Sequence, residues 1–219
     1  MFFACNFATG YKTSVQLKQD IIKASFDLFM RYGIKSVTMD DIARELGISK
    51  KTLYQYVSNK AELIEQIFHA HISEEKCMTE EIRSTSSDAL EEMLRIGRYV
   101  VEKLRSMSPT TVYDLRKYYG TIWKRMESQM KQHVYGVISD NIERGIRQGI
   151  YRSELNPEII ARLYVGKSVL VADEDVFESG KYDLATLHQE YIRYHIHGIA
   201  SEKGRQLLAK HLAAEEQEQ

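Results

Sequence analysis

Six side chains able to touch a polyanion lie within seven consecutive residues of this chain: Lys50, Lys51, Thr52, Tyr54, Gln55 and Tyr56. Lysine neutralises phosphate, and hydroxyl and amide groups donate to phosphate oxygens. Lys or Tyr can also reach base edges in a major groove that admits one helix. The set suits contact with duplex nucleic acid. It would equally suit the wetted side of an ordinary helical corner, and spacing alone leaves both readings open.

The flanking residues say how the set is held. Thr38 starts a short helix: its hydroxyl can cap the first turn, and Asp41 three residues on completes a capping box. Ile42, Ala43 and Leu46 make one side of that helix apolar. Gly47 stands where a left-handed residue ends a helix, and Ile48 anchors the turn. Ser49 is a second cap, and a second helix is expected over Lys50–Val57. Leu53 and Val57 share its inner side, so the six polar residues spread over the remainder. Asn59, with Glu62 three residues later, is a third cap. Two short helices about a glycine turn form a helix-turn-helix.

The residue pattern from about Val15 to Phe68 closely resembles the DNA-binding domain of the TetR family of bacterial transcriptional regulators. The matching residues are Phe26, Phe29, Gly33, Thr38, Ile42, Ala43, Gly47, Ser49, Thr52, Leu53, Tyr54, Tyr56, Asn59, Lys60 and Leu63. Val57 stands where the family usually has Phe. Lys51 replaces a small residue or Pro and adds charge at a base-facing position. The resemblance implies that Lys50, Lys51 and Tyr54 reach bases. Thr38, Thr52, Gln55, Tyr56 and Lys60 would hold phosphates, with Ser49 beside them in the interface.

Composition agrees with local rather than general contact. The 219 residues carry a net charge of −1, which argues against a protein coated in nucleic acid. Residues 1–60 nevertheless hold nine Lys and Arg against five Asp and Glu, while the remainder hold 21 against 26. A small basic head on an acidic body is expected. Cys5 and Cys77 are too few for a disulfide framework and too far apart for a metal pair, so a reducing cytoplasm is the simplest setting. No apolar run approaches the ~20 residues of a membrane span. Residues 1–13 lack the basic start of a signal peptide and read as a flexible arm. His69 and His71, like His195 and His197, are two apart and point away from each other on a helix, so no metal site is expected. With no phosphate loop, nucleophile elbow or HExxH, neither a cofactor nor an enzyme is expected.

The whole chain reads as all-α. Helix one is expected over Ser14–Tyr32, its inner stripe including Phe26 and Tyr32, and helix four over Lys60–Glu81 as a lever between head and body. The expected divisions are an arm at 1–13, a three-helix DNA-binding domain at 14–60 with its helix-turn-helix at 38–57, a connecting helix at 61–82, a helical effector-binding and dimerisation domain at 83–215, and a disordered tail at 216–219. Pro109 and Pro157 each follow a capping residue and open helices. Tyr113, Tyr119, Trp123, Met126, Met130, His133 and Lys167 are the candidate effector pocket, aromatics and Met with a few polar tips. Each could instead be plain core, and the Lys167 stem could pack while its ammonium reaches water. Leu163, Leu170, Leu184, Leu187, Tyr191 and His195 are the candidate dimer interface. By resemblance the protein is a homodimeric repressor of a palindromic double-stranded DNA operator, released by a small-molecule effector. The alternative is a regulator of the same fold controlled by a protein partner or by no ligand.

Overall fold

The computed structural model describes residues 13–217 apart from 172, 174 and 178–180, with side chains as far as 213. The expected arm, the acidic Glu174 and the last two residues of the expected tail lie outside that set, except for Thr13. Among the described residues the chain forms ten helices: α1 (Ser14–Tyr32), α2 (Met39–Glu45), α3 (Lys50–Leu53), α4 (Lys60–Thr85), α5 (Ala89–Ser106), α6 (Pro109–Tyr118), α7 (Gly120–Arg147), α8 (Pro157–Val171), α9 (Leu184–Ile199) and α10 (Glu202–Gln217). One isolated bridge joins Tyr151 and Ala200. No described helix is long and apolar enough to cross a membrane.

Two compact units result, one of residues up to His71 with Ser108–Ile122, the other of Ile72–Met107 with the residues from Trp123 onward. The first unit buries Ile21, Phe29, Ile34, Val37, Ile42, Leu53, Val57, Leu63 and Phe68. Its α6 comes from far along the chain and covers the α1–α2 turn. The Lys35 backbone N–H donates to Asp114 Oδ2 at 2.7 Å, and the Thr111 hydroxyl donates to the Phe29 carbonyl. Gly33 has φ +81°, and a Cβ there would stand 3.0 Å from Thr110 Cγ2. The turn therefore needs glycine twice over, for its backbone and for the close approach of α6.

The second unit is a helical bundle around Leu90, Met93, Ile138, Ile142, Tyr151, Tyr164, Ile192 and Ile196. Tyr151 packs against α7, so close that a Cβ on Gly145 would fall 2.0 Å from its ring. Its hydroxyl sits 3.0 Å from both the Ala89 carbonyl and Asn141 Oδ1. The fully buried Glu92 carboxylate meets the Arg144 guanidinium at 3.0 Å, and burial pushes its pKa up. A buried carboxylate survives only with such a partner.

Most helix ends fall within a residue or two of expectation, because their caps are local. Three details differ. Phe26 and Tyr32 are exposed rather than inward, Phe26 stacking on His71. The connecting helix expected to end at residue 82 continues, since α4 runs on to Thr85. The second helix of the helix-turn-helix stops at Leu53, not Val57.

Candidate nucleic-acid interface

The α2–α3 pair is built by its caps. The Asp41 N–H donates to Thr38 Oγ1 at 3.2 Å, and Asp41 Oδ2 accepts from the Thr38 N–H at 2.9 Å and hydroxyl at 2.6 Å. That hydroxyl contact, first among several, holds the Asp41 pKa below the usual carboxylate range. Gly47 takes φ +64° and turns the chain. Ser49 Oγ then accepts from the Thr52 N–H at 3.0 Å. Beyond Leu53 the backbone tightens: Gln55 N–H donates to the Thr52 carbonyl and Tyr56 N–H to the Leu53 carbonyl, both three residues back. Leu53 and Val57 are fully buried beneath this segment. Lys50, Lys51, Tyr54 and Gln55 are consequently exposed, while Thr52 and Tyr56 are half-buried.

The exposed set is not electrostatically uniform. Lys50 Nζ lies 2.8 Å from an Asp40 carboxylate oxygen, and this hydrogen bond raises its pKa. Lys51 has no hydrogen-bond or ion-pair partner among the described residues. Lys60 is turned inward: its ammonium donates to the Ile34 and Val37 carbonyls, and burial lowers its pKa. The ammonium expected at a phosphate is thus engaged on the backbone of the α1–α2 turn. The sequence did not flag Asp40, Lys35 or Asp114. Asp40 carried a signal, an unassigned carboxylate beside the cap; Lys35 and Asp114 carried none.

The residues expected to form one effector pocket fall in both units. Tyr113 and Tyr119 belong to the first unit; Tyr113 is exposed, its hydroxyl accepting from Lys117 Nζ at 2.6 Å. It faces outward because the neighbouring Asp114 and Leu115 take the inner face of α6. Trp123, Met126, Met130 and His133 are half-buried on α7. Lys167 is half-buried, its ammonium 4.8 Å from the centre of the Tyr194 ring. Of these, His133 alone lines a described cleft. That cleft, of about 380 Å³ within the second unit, is lined by Lys76, Thr79, Glu80 and Arg83 of α4, Glu92 of α5, and Gln132, His133, Gly136, Val137 and Asp140 of α7. The His133 Nε2 lies 3.3 Å from Thr79 Oγ1, and burial, then the Lys76 charge, lowers the imidazole pKa. Arg83 pairs with Asp140 at 2.8 Å. Gly136 faces open space, with no atom within 4 Å of a Cβ built on it.

The expected dimer residues divide into two sets. Leu163 and Leu170 are roughly half exposed on α8, together with Ile159, and Tyr194 is exposed on α9. Leu184 and Leu187 are half-buried. Tyr191 and His195 are instead buried within the protomer, so they leave the candidate surface. Their rings pack against Tyr164, and the Tyr191 hydroxyl donates to the Tyr164 carbonyl at 2.7 Å. Among the described residues no group of three or more His, Cys, Asp or Glu is placed to hold a metal.

The family described as bacterial regulatory proteins, tetR family, matches residues 21–67, which span α2, α3 and most of α1. The HTH-type transcriptional regulator YvaF of Bacillus subtilis (strain 168) is 26% identical over 156 residues, 71% of this chain and 80% of that protein. The HTH-type transcriptional repressor KstR2 of Rhodococcus jostii (strain RHA1) is 20% identical over 193 residues, 84% of this chain and 91% of that one. A crystal structure of a transcriptional regulator from Cytophaga hutchinsonii superposes with a TM-score of 0.68 at 22% identity, covering 84% of this chain and 98% of that one. The helix-turn-helix, its family match and these relatives agree: residues 21–67 are similar to the DNA-binding domain of the TetR family of bacterial transcriptional regulators.

Proposed function

We propose that this regulator is a cytoplasmic repressor that binds a palindromic operator as a homodimer and leaves it when a small molecule occupies the second unit. The observation that carries the DNA reading is the exposed Lys50, Lys51, Tyr54 and Gln55 face, fixed from beneath by Leu53 and Val57. Lys50, Lys51 and Tyr54 are assigned to base edges. Thr38, Ser49, Thr52, Gln55 and Tyr56 are assigned to phosphates. Lys60 supports the turn that presents Thr38. Two copies would place their heads in successive major grooves, ~34 Å apart for half-sites one turn apart. The apolar stripe of Ile159, Leu163 and Leu170 supports pairing through α8.

The α4–α5–α7 cleft is the proposed effector site, in place of the aromatic set. Its lining is almost wholly polar and carries both charges, with Val137 its one apolar side chain, so a polar, charged effector fits it better than an apolar one. α4 carries Lys60 at its start and Lys76 to Arg83 along the cleft. Ligand that favours one placement of that helix can therefore change the head. The size of the switch is the difference in ligand affinity between the DNA-competent state and the other.

The test is a duplex selected from a random pool by the full-length protein, then titrated by fluorescence anisotropy. Tyr54→Ala should weaken binding to it by roughly 1–3 kcal/mol. Affinity unchanged by that substitution would reject the base-reading role of α3.

A further inference from the structure

One residue of the α2–α3 face is unexplained by contact with DNA. Asp40 is exposed in the first turn of α2, and its two oxygens lie 2.8 Å and 3.1 Å from the Lys50 ammonium. A carboxylate beside a phosphate-seeking lysine opposes the attraction on which DNA affinity rests. Its neighbour Asp41 is accounted for, since it closes the capping box with Thr38. Asp40 has no such duty. The next lysine, Lys51, is untethered among the described residues. The face thus carries one lysine free to meet any phosphate and one already held by a pair of oxygen acceptors.

A lysine held this way has a particular exchange open to it. Guanine presents two acceptors, O6 and N7, on its major-groove edge. That neutral edge can replace both carboxylate oxygens without setting a like charge beside Asp40, whereas a phosphate brings its own negative charge against that carboxylate. We infer that Asp40 is a specificity-determining positioning residue, which withholds Lys50 from the DNA backbone and releases it to a guanine edge. Its negative charge weakens binding to every duplex, and only the correct base pair restores what is lost.

This inference rests on the reading of α3 as the DNA-facing helix, and the experiment separates the two. A duplex selected by the wild-type full-length protein and a scrambled duplex of equal composition are titrated across a salt series. The proteins compared are wild type, Asp40→Asn, Asp40→Glu, Lys50→Met and the Asp40→Asn/Lys50→Met double variant, each with its melting temperature recorded. Asp40→Asn should tighten binding to the scrambled duplex several-fold and steepen its salt slope by about 0.9. The selected duplex should gain less, so the ratio of affinities falls, and the lost discrimination should fall at a guanine. Asp40→Glu, which can keep the pair, should keep the ratio. In the Lys50→Met background, Asp40→Asn should leave the ratio unchanged.

A merely structural Asp40 would favour the α2 N-terminus. Its removal would then lower the melting temperature and leave the ratio and base profile untouched, and that result overturns the inference. So does an equal gain on both duplexes, or a ratio that still falls when Lys50 is Met. A wild-type protein that enriches no sequence at all overturns the reading of α3 and this inference with it.

Discussion

Lys60 is a residue whose type suggests one role and whose surroundings give another. Its ammonium donates to the Ile34 and Val37 carbonyls, so it is engaged where α1 turns into α2. Hydrogen bonds to charged groups contribute about 1.5–3 kcal/mol, and this site is only half-buried, so the lower half of that range applies. Lys60→Ala should therefore lower stability by roughly 1.5–2 kcal/mol in urea unfolding. An unchanged midpoint would return the residue to the phosphate-contacting set. What could be read from the sequence here was the local chemistry. Thr38 with Asp41 and Ser49 with Thr52 are three residues apart, and capping is decided within that distance. The Asp40–Lys50 pair spans the Gly47 turn, so it depends on how two helices cross. The Lys35–Asp114 contact joins residues 79 apart. No spacing rule reaches that far, and α6 gave no sign that it belonged with the head.

Single helices show the same contrast between pattern and face. On α9 the apolar and aromatic residues were all legible, but not which of them face inward. His188, Tyr191 and His195 turn inward, while Tyr194, one position from the stripe, is left outside. Burial pushes both His188 and His195 down to about 4, with the Lys167 charge adding to the effect at His195. In the unfolded chain these imidazoles titrate near 6.5. The unfolded state therefore takes up protons first as pH falls. Stability is whole above about pH 6.5 and drains away towards pH 4, by up to roughly 3 kcal/mol per histidine. Urea midpoints at about pH 7 and about pH 5 should differ accordingly, and His188→Gln with His195→Gln should flatten the difference. The glycines of α7 offer a second contrast. Gly136→Ala meets no atom and should stabilise the helix by up to about 1 kcal/mol. Gly145→Ala drives a methyl into the Tyr151 ring at 2.0 Å and should destabilise strongly. Paired thermal melts with shifts of the same sign would contradict these placements.

At the scale of the whole molecule, the all-helical fold and its basic head were legible because both follow from patterns summed over many residues. The α4–α5–α7 cleft was not. Tyr113, Trp123 and Met130 are the residue types a pocket would use, yet which of them share a cavity is settled by packing between distant helices. The outward stripe of Ile159, Leu163 and Leu170 leads to a prediction about assembly. Leu163→Glu should leave the helical circular dichroism intact and yield a monomer in analytical ultracentrifugation. Its DNA affinity should fall by roughly 10²-fold, since one head loses the effective concentration supplied by the other. A dimer that survives the substitution would place the pairing surface elsewhere.

The shelter that α6 gives to the Gly33–Val37 turn limits how such a regulator can be shuffled. A gene fusion that moved only the first seventy or so codons onto a foreign trunk would deliver a lobe with the Lys35 amide bare and Gly33 uncovered. Recombination that keeps the lobe intact has to bring a second, distant stretch of coding sequence with it, or land on a recipient that already supplies an acidic residue at the equivalent of Asp114.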